Sequence, residues 1–188
     1  MDYLRLLRNS HIFASAVRDI LETRLIREVC PYPLTLSQFH LLKLMSLDGE
    51  HHVGDIAAFL GVSTPAATKN IDKLERHGLV VRAPAPDDRR STILSASPIG
   101  RRIVVNYEEL KSARLYPLLD RFDVGELDAF ADLLERISLS LLDLDPESGG
   151  PCLRCAANLS ADCRVGEARG GCPFIKKRAT VSGKGIPT

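Results

Sequence analysis

Four of the five cysteines lie within a short stretch near the end of the chain, at Cys152, Cys155, Cys163 and Cys172. The stretch is rich in glycine and too short to form a hydrophobic core of its own. Clustered cysteines in a cytoplasmic chain are more often metal ligands than disulfides. The pattern therefore predicts a tetrathiolate site, while reduced thiols without a ligand, or a disulfide pair in a flexible tail, remain the alternatives.

The spacing of these cysteines favours a [4Fe–4S] cluster over zinc. A structural zinc site commonly pairs two C-x2-C units, and here there is one, Cys152 to Cys155. The last cysteine, Cys172, precedes Pro173, as the final ligand of iron–sulfur segments often does. Nearby basic side chains would offset the charge of a thiolate-bound cluster, contact DNA phosphates, or simply face solvent: Arg154, Arg164, Arg169, Lys176 and Lys177.

A second group of side chains has the types that read DNA. Hydroxyls, an amide and small residues suit base edges in the major groove, and Lys and Arg suit phosphates. The candidates are Ser63, Thr64, Ala66, Thr68, Lys69, Asn70, Lys73 and Arg76. Arg89 and Arg90, in a turn-rich run between two β-type segments, suit the negative potential of a minor groove. A plain helical hairpin and a solvated turn are the simpler interpretations.

Helical periodicity predicts the elements that position these candidates. A long helix covers residues 1–29, with Leu4, Leu7, Ala14, Val17, Leu21 and Leu25 close to one stripe. A T-x-x-Q capping box, Thr35 to Gln38, starts a second helix, and a third begins near Val53. After a turn at Gly61, a fourth helix carries the DNA-reading candidates as far as His77. Residues 79–83 and 91–95 form a hairpin, and a fifth helix runs from 97 to about 122.

The sixth predicted helix carries a seam with coiled-coil spacing. Its residues are Leu127, Phe130, Leu134, Ile137 and Leu141. The seam packs either on the first and fifth helices of the same chain or on a second copy.

The remaining cysteine and three histidines suggest no site on their own. Cys30, which ends the first helix, is best explained as a small buried residue, with a redox-sensing thiol as the alternative. His40, His51 and His52 are expected at the surface or between helices.

Composition predicts a cytoplasmic protein with no membrane segment. The 188 residues are 45% hydrophobic, no apolar run approaches the ~20 residues that span a bilayer, and the N-terminus does not look like a signal peptide. The net charge of the whole chain is +1, but it is unevenly distributed. Residues 151–188 hold seven basic and two acidic side chains, whereas residues 1–150 hold 18 basic and 22 acidic side chains. DNA binding by the main body would therefore need a local basic patch.

The motifs between Val53 and Gly100 resemble the MarR family of bacterial regulators, and the resemblance covers roughly residues 1–143, including the long first helix and the last two helices. The resemblance lies in Val53-x-x-Ile-Ala-x-x-Leu-Gly-Val-Ser, Ala67-Thr68, Leu74-Glu-x-x-Gly-Leu-Val-x-Arg, Asp87-Asp-Arg-Arg and the helix start Ser97-Pro-Ile-Gly. It implies a mainly α, winged helix-turn-helix homodimer that binds a palindromic operator on double-stranded DNA, usually as a repressor. The family's D-x-R wing motif places its minor-groove arginine at Arg90. The serine-proline start of the fifth helix departs from the usual threonine-glycine.

The resemblance implies the first three of the five predicted segments, and the residues after the sixth helix, with their four cysteines, imply the last two. The predicted segments are a dimerisation helix, a winged helix-turn-helix, two further dimerisation helices, a metal-binding loop segment and a flexible tail, at 1–33, 34–97, 98–145, 146–179 and 180–188. The first hypothesis is a regulator controlled by an iron–sulfur cluster that senses redox or iron state. The second keeps the regulator, with structural zinc and a small aromatic effector. The third, an iron–sulfur electron carrier or enzyme, lacks any recognisable nucleotide-binding loop or catalytic arrangement.

Overall fold

The computed structural model describes residues 2–48, 50–85 and 92–144, together with Arg164 and Glu167. These residues form a mainly helical fold with a small antiparallel sheet, as predicted. The elements are α1 (Tyr3–Ala16), a π-helical segment (Val17–Arg24), α2 (Leu25–Val29), α3 (Leu36–Asp48), β1 (His51–His52), α4 (Val53–Leu60), α5 (Thr64–Arg76), β2 (Val80–Pro84), β3 (Thr92–Ala96), α6 (Pro98–Leu119) and α7 (Val124–Leu142).

The N-terminal helical run differs from the regular helix predicted over residues 1–29. Its middle, Val17–Arg24, is π-helical, so hydrogen bonds there span one residue more than in an α-helix. The predicted apolar stripe is buried only at its C-terminal end. Leu25 is buried in the core, whereas Leu4 and Leu7 are exposed and α1 buries no residue.

The predicted helix-turn-helix is present as α4 and α5, and α3 precedes it. Thr35 and Gln38 form the capping box, in which each backbone N–H donates to the other residue's side-chain oxygen. Residues 38–45 of α3 are all buried, so this part of the helix is enclosed on every side rather than along one stripe. Gly61, with φ of 61°, closes α4 in a left-handed turn in which Val62 N–H donates to Ala57 O.

Strands β2 and β3 form the predicted hairpin, called the wing below, and each begins one residue later than predicted. Strand β3 is central in the order β1-β3-β2, and Val80 pairs with Ala96 and Pro84 with Thr92. The two-residue strand β1, which pairs His51 with Leu94, was not predicted because it is too short to show an alternating pattern. The hairpin tip, residues 86–91, lies outside the described part of the chain.

A close approach fixes the start of α6 against the end of the helix-turn-helix. Ser97 caps α6 by accepting from Gly100 N–H at 3.0 Å and donates its hydroxyl to Gly78 O at 2.7 Å. A Cβ on Gly100 would lie 2.2 Å from Leu79 O, so only glycine fits here. The backbone of α6 is thereby held directly to the turn that ends α5.

Two long helices complete the described chain. Helix α6 ends at Leu119, slightly before the predicted end near residue 122, and α7 begins with a capping box between Asp123 and Glu126. Within the residues that the structure covers, no helix has both the length and the apolar character to cross a membrane.

Candidate nucleic-acid interface

Helix α5 presents one face to the core. Ala67, Ile71 and Leu74, which follow helical spacing, are completely buried. The helix ends in a Schellman turn, in which Leu79 N–H donates to Leu74 O, Gly78 N–H donates to Glu75 O, and Gly78 has φ of 67°. The buried face anchors α5 in the core, and this turn ends the helix, whose C-cap is His77.

One flank of α5 contacts the first turn of α3 and the segment before it. Asn70 Oδ1 accepts from Gln38 Nε2 at 3.2 Å, and Asn70 Nδ2 donates to Ala66 O at 3.2 Å. Two turns later, the rings of His77 and Tyr32 stack with centroids 4.5 Å apart. Asn70 was predicted to read bases, yet its amide is bonded within the protein.

The opposite flank of α5 is attached to the wing. The Arg82 guanidinium on β2 forms an ion pair with the Asp72 carboxylate and a second, at 3.2 Å, with the Glu75 carboxylate. The three side chains are partly exposed, so each pair alone contributes little. Together they make a three-membered network that fixes the strand relative to the helix.

The surface left on α5 carries most of the predicted DNA-reading residues. Ser63, Thr64, Pro65, Lys69 and Arg76 are exposed. Ala66, Thr68 and Lys73 are half-buried at its borders, and the Thr68 hydroxyl donates to Thr64 O at 2.9 Å. The exposed strip therefore combines hydroxyls near the helix N-terminus with basic side chains further along.

The other predicted site residues lie outside the described residues. These are the wing arginines Arg89 and Arg90 and the four cysteines Cys152, Cys155, Cys163 and Cys172. In the described part of the chain, no group of His, Cys, Asp and Glu is placed to hold a metal ion. The isolated Arg164 lies 3.5 Å from the Glu135 carboxylate of α7.

Cys30 is buried in the core, in agreement with the preferred interpretation. Burial raises the pKa of its thiol above the usual value, and a backbone hydrogen bond from Tyr32 only partly offsets this. Because the thiolate is the reactive form, this position does not favour a redox-sensing thiol.

A charged cluster joins α3 to α6 beneath the helix-turn-helix. Lys43 on α3, which exposes only 7% of its side chain, lies 2.6 Å from the Glu108 carboxylate, which also pairs with Lys111. Burial alone would raise the pKa of Glu108, but the two lysines together hold it below the usual value. Sequence periodicity missed this pair because a buried lysine interrupts the apolar pattern of α3.

Aromatic and imidazole groups surround the cluster. The Tyr107 hydroxyl donates to Leu21 O at 2.9 Å, and burial, followed by the nearby carboxylates, raises the pKa of Tyr107 to about 12. His40 and His51 are buried whereas His52 is exposed. Burial and then the charge of Lys43 lower the pKa of His40 to about 4, so this imidazole is neutral at physiological pH.

The helices at the two ends of the described chain expose large apolar side chains. Phe13 of α1 contacts Phe130 of α7 edge to face, with ring centroids 5.5 Å apart, and both remain partly exposed. Of the predicted seam on α7, Phe130, Ile137 and Leu141 are exposed in the described part of the chain, whereas Leu127 and Leu134 are half-buried. Further exposed apolar residues on these two helices are Leu4, Leu7, Ile12 and Leu133.

Comparisons with known proteins agree with this architecture. The model of the MarR family matches residues 34–92. The chain is 31% identical over 117 residues to Mb0904 of Mycobacterium bovis, an uncharacterized HTH-type transcriptional regulator, covering 61% of this chain and 79% of that one. It is also 31% identical over 105 residues to YdgG of Bacillus subtilis, described in the same words, covering 53% and 67% of the two chains.

A solved structure shares the fold. The structure of Streptococcus pneumoniae FabT in complex with DNA superposes with a TM-score of 0.66 at 22% sequence identity, covering 76% of this chain and 99% of that chain. At this identity the likeness establishes the arrangement of helices and wing.

Proposed function

Because the chain belongs to the MarR family of winged helix-turn-helix transcription regulators, we propose that it binds a palindromic operator as a homodimer and represses the genes that follow. Members of the family are regulators and not enzymes, which agrees with the expectation from sequence. The proposal rests on the placement of α5. This helix contacts the protein on its core face and on both flanks, and its exposed strip faces outward.

The composition of this strip suits a major groove. Thr64 lies in the first turn of α5 and supplies a small hydroxyl, and Lys69 and Arg76 supply positive charge further along the helix. Because the rest of the body is acidic on balance, this local patch would carry the phosphate attraction. The proposed minor-groove contact is Arg90, at the hairpin tip.

The exposed apolar surfaces of α1 and α7 support the homodimer. Leu4, Leu7, Phe130, Ile137 and Leu141 lie on neighbouring helices, since Phe13 contacts Phe130. An apolar surface of this kind on a folded chain commonly marks an interface. In a twofold dimer the two copies of α5 would read two half-sites about one helical turn of DNA apart.

The experiment selects DNA from a random library with the full-length protein, then measures binding to the enriched sequence. We expect a palindrome whose two halves are separated by about one helical turn. Replacing Lys69 or Arg90 by alanine should weaken binding to the operator and to unrelated DNA alike, because phosphate and minor-groove contacts carry little sequence information. A selection that enriches no sequence would overturn the proposed function. An Arg90→Ala variant that binds DNA with wild-type affinity would show that the wing makes no contact needed for binding.

We further propose that the four cysteines hold a [4Fe–4S] cluster whose state controls operator binding. The support is their spacing and the Cys172-Pro173 end. Anaerobically purified protein should be brown and contain iron and sulfide, and exposure to air should change its operator affinity. Colourless protein with one zinc ion per chain would instead support a structural zinc site and a small aromatic effector as the signal.

A further inference from the structure

The side-chain amide of Asn70 is used twice within the protein. Its Oδ1 accepts from Gln38 Nε2 and its Nδ2 donates to Ala66 O, each at 3.2 Å. An asparagine that reads adenine needs the same two atoms, one to accept from the base and one to donate to it. To make that contact, Asn70 would have to turn away from both of its present partners.

Turning away would leave Gln38 without its partner in the core. Gln38 exposes only 2% of its surface. Its Oε1 accepts from Thr35 N–H in the capping box, so the Nε2 side of the amide must face Asn70. An amide donor left buried without an acceptor is costly, which holds Asn70 in its present orientation.

The bonds form a relay from the start of α3 to the first turns of α5. Thr35 fixes Gln38, Gln38 fixes Asn70, and Asn70 fixes the carbonyl of Ala66. The relay lies on the flank of α5 opposite the Arg82 network, which contacts Asp72 and Glu75. These contacts on the two flanks hold α5 at one rotation about its own axis. The rotation decides the direction in which Thr64 and Lys69 point.

We propose that Asn70 is a positioning residue, which acts with Gln38 to orient the DNA-reading helix and does not itself read a base. The inference rests on the proposed function, because its consequence appears in operator binding. Since Gln38 is buried, it cannot touch DNA, and any effect of Gln38 on binding must pass through the protein. This separates a positioning role of Asn70 from direct readout.

The experiment compares Asn70→Ala, Gln38→Met and the double variant, each as full-length protein, on the operator selected by the wild type. Methionine keeps the volume of glutamine but removes both hydrogen-bonding groups. We expect each single variant to lose about tenfold in operator affinity, the worth of one or two hydrogen bonds. The double variant should lose no more than either single one, since both break the same relay. Affinity for unrelated DNA should not change, so the loss should appear as a weaker preference for the same bases, shared by several operator positions.

Three results would overturn the inference. In the first, Asn70→Ala abolishes the preference at one base pair while Gln38→Met leaves the profile and the affinity intact, which marks Asn70 as a base reader. In the second, both variants bind the operator like the wild type and only their melting temperatures fall. In the third, the losses of the two variants add in the double variant, which shows two independent effects. The control is Thr35→Ala, which weakens the capping box but leaves the bond between Gln38 and Asn70, and it should reduce stability more than operator affinity.

A failure of this inference is distinguishable from a failure of the proposed function. If the wild type selects no operator, the function is wrong and the variants have nothing to report. If the wild type selects an operator and Gln38→Met binds it normally, the function stands and the positioning role is wrong.

Discussion

Replacing Gly100 by alanine should destabilise the protein where the helix-turn-helix meets α6. The added Cβ would lie 2.2 Å from Leu79 O and 2.8 Å from Leu42 Cδ1. Close carbon–oxygen contacts in proteins are about 3.3 Å, so the start of α6 must move by about 1 Å. The obstacle is backbone on one side and a buried leucine on the other, and neither can turn aside like the end of a flexible surface side chain.

The magnitude follows from the bonds that such a movement disturbs. Ser97 N–H donates to Leu79 O at 2.9 Å, and the Ser97 hydroxyl is bonded to both Gly78 O and Gly100 N–H. Each bond is worth about 1 kcal/mol, and overpacking adds about 1 to 3 kcal/mol when the bonds only stretch. We expect the free energy of unfolding to fall by about 2 to 4 kcal/mol.

Urea denaturation followed by circular dichroism measures this change, at one fixed protein concentration because a dimer's stability depends on it. The matched control is Gly54→Ala in α4, where an added Cβ meets nothing within 4 Å. This control should be neutral or gain about 0.5 to 1 kcal/mol, since alanine favours a helix over glycine. A Gly100→Ala variant as stable as the Gly54→Ala variant would refute the close approach.

Three further predictions concern the charged groups. Replacing Arg82 by alanine should reduce operator affinity in binding assays while costing at most about 1 kcal/mol of stability, because its ion pairs are partly exposed but orient the wing; unchanged affinity would exclude a role in orientation. Stability should fall as the pH decreases from about 6.5 to about 4, because burial lowers the pKa of His40 in the folded state and the unfolded chain therefore binds a proton first. Denaturation across this range should show a shallower decrease, by up to about 3 kcal/mol, in His40→Gln, and equal slopes would contradict the assignment. Replacing Lys43 by alanine should cost about 2 to 3 kcal/mol in denaturation experiments, because it leaves the half-buried Glu108 carboxylate with Lys111 alone, and adding Glu108→Gln should recover part of the loss.

The elements of the DNA-binding half could be predicted from sequence because their signals are local. A capping pair at Thr35 and Gln38, a glycine that ends a helix at Gly61, and a serine-proline start at Ser97 each act within one turn of chain. The strands were placed within one residue for the same reason. The π-helical segment Val17–Arg24 was missed, since it contains neither proline nor glycine and follows the same alternation of apolar and charged residues as an α-helix.

The partners of individual site residues could not be predicted, because they depend on contacts distant in sequence. Asn70 was assigned to DNA on its chemical type and its helical position, and both remain correct. The sequence does not show that the buried Gln38, 32 residues away, donates a hydrogen bond to the side-chain amide of Asn70. Arg82 was noted only as part of a family motif, and its ion pairs with Asp72 and Glu75 emerge when the wing folds against α5.

The same contacts connect α6, through α3, to the proposed DNA-reading helix α5. Helix α6 meets α3 through the pair Lys43–Glu108 and through the rings of Phe39 and Tyr107, whose centroids are 4.5 Å apart. Helix α3 meets α5 through Gln38. Residues 38–45 of α3 are all buried and closely packed, so we expect a displacement of α6 to shift this part of the helix rather than bend it. We therefore expect a displacement of α6 to change the rotation of α5 by way of α3.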